Sequence, residues 1–502
     1  MKTLKTFTIF ILILSVSHIY AQPVTLDPTF GQNGMTIIPE ATEVKLIEFD
    51  KQGNIIAVGT TKDGNKHYVT IVKTNADGII DQNFGNNGIV TVAEYEINTT
   101  AKFGLKITNS NKIFIIVSFL LSEQSGFTTI FMQFNENGSF DETFGDNGKI
   151  IYSNYMETSN IFSINTEIDD FIFFSGRANS YEFIFKCNHY GELDENFGEN
   201  GKTYLTDGET YKLLPRTIKI LNDQSILVAG ADILDLDEIE LALCKLTPNG
   251  NLATGFANNG MWKMNIWDDN NLWSEYEYFT DAIEDGNGKL FLLGTVNNFY
   301  PFNAPKFVCS FHSDGTINND FGANGFYYYE TNSHDGSRPS AQKILQNGSK
   351  YIATFNNIRI VSILSNGILD TDFNNTGEFV CDKYGFYDIK LQGRDKLILG
   401  GAYMFNPYYT HDHKFALARL NIPSDVSVKQ NFNIDNSITI FPNPVKDYLY
   451  FDVESKFEII DIFGKIVLKS EKATQSANVS HLKARIYFIK FENNQGKKFV
   501  KQ

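Results

Sequence analysis

Cysteine is scarce: four residues in 502, with no CxxC pair and none within a few residues of a histidine. That count excludes a disulfide framework, and the spacing gives zinc no support. Positive charge is in deficit, with 43 Lys and Arg against 59 Asp and Glu and a net charge of −16. Such a chain repels a phosphate backbone, so nucleic acid is not an expected partner. Beyond the first 21 residues there is no long apolar run, so no transmembrane segment is expected. GxSxG, HExxH, phosphate-loop and GxGxxG motifs are missing, and the acidic run 232–240 lacks EF-hand spacing. No cofactor and no metal is therefore expected, and no catalytic residue can be named. What remains is a globular composition, 42% apolar and 20% charged, which excludes disorder as the main state.

The N-terminus stands apart. Lys2 and Lys5 precede a nearly uninterrupted apolar run from Phe7 to Val16, and Ala21 supplies a small residue before Gln22. This pattern reads as a secretory signal peptide over residues 1–21, cleaved between Ala21 and Gln22, and its apolar run is too short to span a bilayer. A buried N-terminal helix is the alternative.

A repeat organises the rest. LDPTFGQNG (26–34) recurs as IDQNFGNNG (80–88), FDETFGDNG (140–148) and LDENFGENG (193–201). It continues, less faithfully, as LATGFANNG (252–260), INNDFGANG (317–325) and LDTDFNNTG (369–377). The central aromatics are Phe30, Phe84, Phe144, Phe197, Phe256, Phe321 and Phe373, so the period is about 57 residues. Each unit carries four short apolar runs rich in β-branched residues and punctuated by Asn-Gly or Asp-Gly, the pattern of strands and hairpins. Four strands per unit and seven units predict an all-β, seven-bladed β-propeller over residues 22–424. The last unit stops after Leu420 without its own LDxxFG, and the copy at 26–30 supplies the missing piece of a closed ring. The blade to which strand 35–39 belongs stays open at this point.

The Asn-Gly pairs suit positive φ in tight turns, the Asp of each motif suits an Asx turn, and the Phe is expected to plug a junction between blades. Calcium held by these carboxylates is the competing reading, weakened because Ala253 and Asn318 replace Asp in two copies. Cys244 and Cys309 align with Val72, Met132, Phe185, Val361 and Ala418, which makes them core positions rather than nucleophiles. These LDxxFGxNG units, each followed by a "gkIlvaG" strand and an "lalxRL" strand, resemble the delta-60 repeats of secreted bacterial proteins. The resemblance covers residues 26 to about 424 and implies a propeller-like array without a shared catalytic motif.

Residues 425–437 are polar and aperiodic and read as a linker. The tail, 438–502, holds six or seven short strands, enough for a small C-terminal β-sandwich, and carries 11 basic against 7 acidic residues. Its sign is opposite to that of residues 22–437, which carry about −22, and the change supports a domain boundary. Pro442, Asn443 and Pro444, the IIDIFGK run with Gly464, and Tyr487 in YFIKF are similar to the C-terminal sorting domain of the type IX secretion system. Arg485 stands where that family usually has Gly. The resemblance implies the type IX secretion machinery as a partner, and a secreted or outer-membrane-surface location in a Gram-negative bacterium.

Departures from the repeat mark candidate sites. The longest interval contains all three tryptophans, and Trp262, Trp267, Asp268, Asp269, Trp273, Tyr276 and Tyr278 form the candidate ligand-binding set. Rings beside carboxylates suit a glycan or a protein surface; strand packing is the competing role for the same rings. His411 and His413 stand two apart in a second unusual loop, without a third ligand in view. The sequence thus predicts a secreted binding or scaffold propeller for a glycan or protein and not an enzyme. A carbohydrate-active hydrolase or lyase with carboxylates in the central funnel is the alternative, because propellers support both.

Overall fold

The computed structural model describes residues 23–501 except 99, 121–126, 154–159, 167–170, 179–180, 206–211, 236–237, 266–275, 298–305, 330–340, 356–357, 382–383, 405–412, 424–437, 462–465, 471, 484 and 493–495. The chain divides into two compact units, Met1–Ser424 and Asp425–Gln502. All described regular elements are strands.

The first unit is a ring of seven antiparallel sheets, and six of them are four-stranded meanders in chain order. Their first strands are Glu43–Phe49, Lys102–Ile107, Asn160–Asn165, Leu213–Ile220, Tyr276–Glu284 and Ala341–Asn347. The seventh blade starts with Tyr384–Gln392, continues through Lys396–Met404 and His413–Asn421, and is finished by the N-terminal strand Met35–Ile38. Met35 pairs with Ala418 and Ile38 with Phe415, and Thr25 and Leu26 extend the same edge against Asn421 and Leu420. Strand 35–38 therefore completes the last blade, which settles its blade. The pairing also covers both strand edges that an open array would leave bare. Neighbouring first strands touch all the way round, the seventh against the first included, and enclose a central channel.

Alternation is a poorer guide inside the blades than at their rims. Ile55–Asp63 begins with six consecutive buried residues, and Lys306–Phe311 is buried throughout. A blade is sandwiched between two others, so both faces of its middle strands need apolar cover, as in other doubly covered sheets. Seven apolar clusters result, each combining residues of two adjacent blades. Each contains one motif phenylalanine: Phe84 lies between blades 1 and 2, and Phe30, fully buried, lies between blades 7 and 1.

The motif turns lie at the channel end opposite the start of the first strands. Asn33, Asn87, Asn147, Asn200, Asn259 and Asn324 adopt φ between 51° and 55°, followed by glycines that also have positive φ. Asp27 accepts the Thr29 amide at 3.1 Å through one oxygen and Lys396 at 2.8 Å through the other. Asp194 repeats this with Asn196 and Lys186, and Asp141 with Thr143 and Lys112. These carboxylates are thus engaged by backbone and lysine, which favours the turn reading over calcium.

The second unit packs two sheets. One joins Ile440–Phe441, Tyr448–Ser455 and Thr474–Asn478; the other joins Ile466–Lys469, Phe457–Asp461, Arg485–Phe491 and Gly496–Lys501. Val445, Leu449, Ile459, Val479, Ile489 and Phe499 are fully buried in its core.

Candidate functional site

Most first strands carry a bulge at one equivalent place. The register slips between Val44 and Leu46, Ile161 and Ser163, Pro215 and Thr217, Phe279 and Asp281, and Phe386 and Asp388. The extra residues are Lys45, Phe162, Arg216, Thr280 and Tyr387. A bulge re-aims a side chain out of the pleat. Its cause is legible in the second strand, where Gly59, Gly230 and Gly401 stand opposite. A Cβ there would lie about 2 Å from the carbonyl oxygens of Glu43, Leu214 and Gly385. Blade 2 has Val117 at this place, and its register runs unbroken.

The bulges gather cations and rings at the channel end where the first strands begin. Arg216 stands 5.1 Å from the Tyr278 ring and 6.0 Å from the Phe162 ring. Arg177, on the second strand of blade 3, stands 5.9 Å from Phe162 and donates through Nε to Glu182 at 2.7 Å. Lys45 lies 4.9 Å over Tyr387 and pairs with Glu43 at 2.7 Å. Lys102 completes the group from blade 2. Arg216 and Lys102 are exposed and have no acidic partner among the described residues. Desolvation by the surrounding wall, then the charges of Arg216 and Lys45, pull the Lys102 pKa down. Desolvation followed by the charge of Arg177 lowers that of Arg216, opposed by Tyr278. Burial raises the Tyr278 pKa against the pull of Arg216.

Deeper in, the channel narrows to a cavity of about 320 Å³ lined by all seven first strands. Its charged groups are tied to one another and to backbone. Lys390 pairs with Glu48 at 2.6 Å, Asp388 accepts the Ile47 amide at 2.9 Å, and Asp281 accepts the Ile344 amide at 2.9 Å. Lys343 stands 3.8 Å from Asp388. Burial raises the Asp281 carboxyl, with Lys343 opposing. Each carboxylate of this waist therefore stitches one blade to the next.

The tryptophan segment is divided by the structure. Trp262 lies on the outermost strand of blade 4, edge-on to Phe311 at 4.8 Å and near Phe279 at 6.3 Å, beside a groove of about 780 Å³. Tyr278 lies on the innermost strand of blade 5, at the channel mouth. Tyr276 opens that strand, and Trp267, Asp268, Asp269 and Trp273 fall outside the described residues, as do Ala21, Gln22, Gly464 and His411. Sequence reasoning found Tyr278 but missed Lys45, Lys102, Phe162, Arg177, Arg216 and Tyr387. One signal was available: Lys45, Phe162, Arg216, Thr280 and Tyr387 each stand about ten residues before an apolar residue heading the second strand, with the bulge-demanding glycine beyond.

Cys187, Cys244 and Cys309 are fully buried, and burial pushes the Cys244 thiol up to about 12, so these are inert core residues. Among the described residues no group of His, Cys, Asp and Glu could hold a metal, and no helix is long and apolar enough to cross a membrane. In the second unit Asn443, between Pro442 and Pro444, accepts the Val500 amide at 2.9 Å. Tyr487 is buried, stacks on Phe499 at 5.7 Å and donates to the Lys483 carbonyl at 3.1 Å.

Among solved structures, polysaccharide lyase Uly1 overlaps 78% of this chain and 92% of its own, at 10% identity and a TM-score of 0.46. An α-L-arabinofuranosidase of Fusarium graminearum overlaps 77% and 97% at 10% identity and 0.40, and Drosophila Semaphorin 1b 77% and 88% at 7% and 0.36. No curated protein matches in sequence. Residues 439–502 match the secretion system C-terminal sorting domain, and a chain that bears this domain is a secreted or cell-surface protein.

Proposed function

We propose that the protein is a binding propeller, delivered to the cell surface or medium of a Gram-negative bacterium by its type IX sorting domain, and that the channel end where the first strands begin receives a glycan or a protein. The observation that carries this reading is the set of re-aimed side chains at the mouth. Lys45, Arg177 and Arg216 stand against rings there and Lys102 is exposed beside them, while the carboxylates of the waist are engaged in joining blades. A hydrolase needs a carboxyl free to move a proton or attack a sugar carbon. Glu48, Asp281 and Asp388 each have a structural partner instead. Recognition needs only fixed rings and fixed charge.

The test is to incubate the secreted protein with panels of oligosaccharides and of envelope proteins, measuring retention and product formation together. The reading expects saturable retention with the ligand recovered intact. Turnover of a saccharide would replace it with the enzymatic reading.

A further inference from the structure

We infer that the mouth of the channel is a binding site for an anionic saccharide, with Arg216 and Lys102 holding the acidic group and Phe162, Tyr278 and Tyr387 receiving the sugar faces. This deepens the binding reading above and rests on it.

The charge arrangement comes first. Residues 22–437 are strongly acidic, yet the mouth gathers Lys45, Lys102, Arg177 and Arg216 from four consecutive blades. Lys45 and Arg177 have carboxylate partners in Glu43 and Glu182. Arg216 and Lys102 have none among the described residues, and the charge of Arg216, after desolvation, is one of the causes that lower the Lys102 pKa. Holding like charges together on a concave wall costs folding free energy, and an anion placed between them would recover it. The fold itself aims Arg216 there through a bulge.

The rings define the class of anion. The Arg216 guanidinium lies 5.1 Å from the Tyr278 ring and 6.0 Å from the Phe162 ring, and its planar donors form a fork. Such a fork matches a carboxylate or a sulfate with two parallel hydrogen bonds. Half-buried Phe162, Tyr278 and Tyr387, one each from blades 3, 5 and 7, offer apolar faces at the same mouth. Flat rings beside a fixed cation suit a uronic acid or a sulfated sugar, whose CH faces stack while the acidic group pairs. A free inorganic anion would make no use of the rings.

The experiment is calorimetric titration of the full-length secreted protein with four probes. Tetragalacturonate presents carboxylates, a sulfated carrageenan tetrasaccharide presents sulfates, cellotetraose is neutral, and a tetraglutamate peptide is an anion without a sugar. The expected result is binding of tetragalacturonate, of the sulfated tetrasaccharide or of both, weakening as salt rises, and no binding of cellotetraose. Arg216→Gln and Lys102→Gln should each weaken it about tenfold or more, the size of a lost charge-assisted hydrogen bond. Arg216→Lys should retain part of the affinity. Lys102 is exposed, so its variant decides the matter even if the Arg216 variant unfolds.

Three results overturn the inference. They are no binding of either acidic saccharide, binding insensitive to Lys102→Gln, and binding of tetraglutamate alone, which would assign the mouth to an acidic protein. In each case a glycan or protein captured elsewhere on the ring would leave the broader binding reading intact. Cleavage of a bound tetrasaccharide would do the reverse, supporting the site and ending the binding-only reading.

Discussion

Arg419 is where the seam between the last blade and the first converges. Its Nε donates to Asp27 at 2.8 Å, and its Nη1 donates to the Ala76 carbonyl at 2.9 Å and to Asp77 at 3.0 Å. Nη2 reaches Thr29 at 3.0 Å, and the guanidinium lies 5.0 Å from the Phe30 ring. One side chain thus ties the N-terminal motif, the seventh blade and the first-blade turn together. The other blades have Lys73, Gln133, Lys186, Lys245, Ser310 and Ser362 at this place, each sharing the same backbone bond to its motif. Those junctions join consecutive stretches of chain, whereas the seam joins two distant ones. Arg419→Ala leaves the buried Asp27 carboxylate short of a partner and should cost about 3–5 kcal/mol in denaturant unfolding.

The same residues predict a pH limb. Burial alone would raise the Asp27 carboxyl, but hydrogen bonds from Lys396 and Thr29 and the charge of Arg419 hold it well below the usual range. Lys112 and Thr143 do the same for Asp141. A depressed native pKa adds stability that is complete above the unfolded value and is lost as pH falls through the native one. The melting temperature should therefore hold from pH 7 to about 5 and fall steeply below about 4. Asp141→Asn should flatten that fall, and an acid limb as steep as the parent's would show that the turn carboxylates do not carry it.

Among the elements, the motif turn and the bulged strand differ in how openly the sequence declares them. The turn is declared by residue type, because Asn-Gly at positive φ, the Asx aspartate and the plugging Phe are all local requirements. Gly78 belongs to the same device: its φ is +75°, and a Cβ would lie 2.6 Å from the Phe30 ring. The bulge is declared only by a glycine in the partner strand, and nothing about Lys45, Phe162 or Arg216 as single letters marks them as neighbours. The mouth was therefore illegible until the register was known. Tyr278 was flagged for lying near tryptophans, and what places it at the mouth is its position on the first strand of blade 5, beside Arg216. Two substitutions probe the elements by equilibrium unfolding. Phe84→Ala should cost about 3–5 kcal/mol, since the ring fills a closed junction. Trp262→Ala should cost roughly 2–3 kcal/mol, because its ring is half-buried against Phe311. No loss in the second would return Trp262 to the list of free binding rings.

For the molecule as a whole, the propeller and the sorting domain carry opposite charge. A chain ending at Asn436 should keep its propeller and accumulate in the periplasm; its undiminished appearance at the surface or in the medium would remove the export role from the tail. The channel, its mouth and the bulges that aim side chains into it all require a closed ring. Closure places Thr25 beside Asn421 across 396 residues of chain, with their side chains 3.3 Å apart. The most direct measurement is to replace both with cysteine, oxidise the folded protein and map the disulfides by mass spectrometry. A closed ring predicts nearly complete Cys–Cys linkage between the two positions, with unchanged folding. Free thiols at both positions in a folded protein would mean an open array, and the channel with its proposed binding mouth would fall with it.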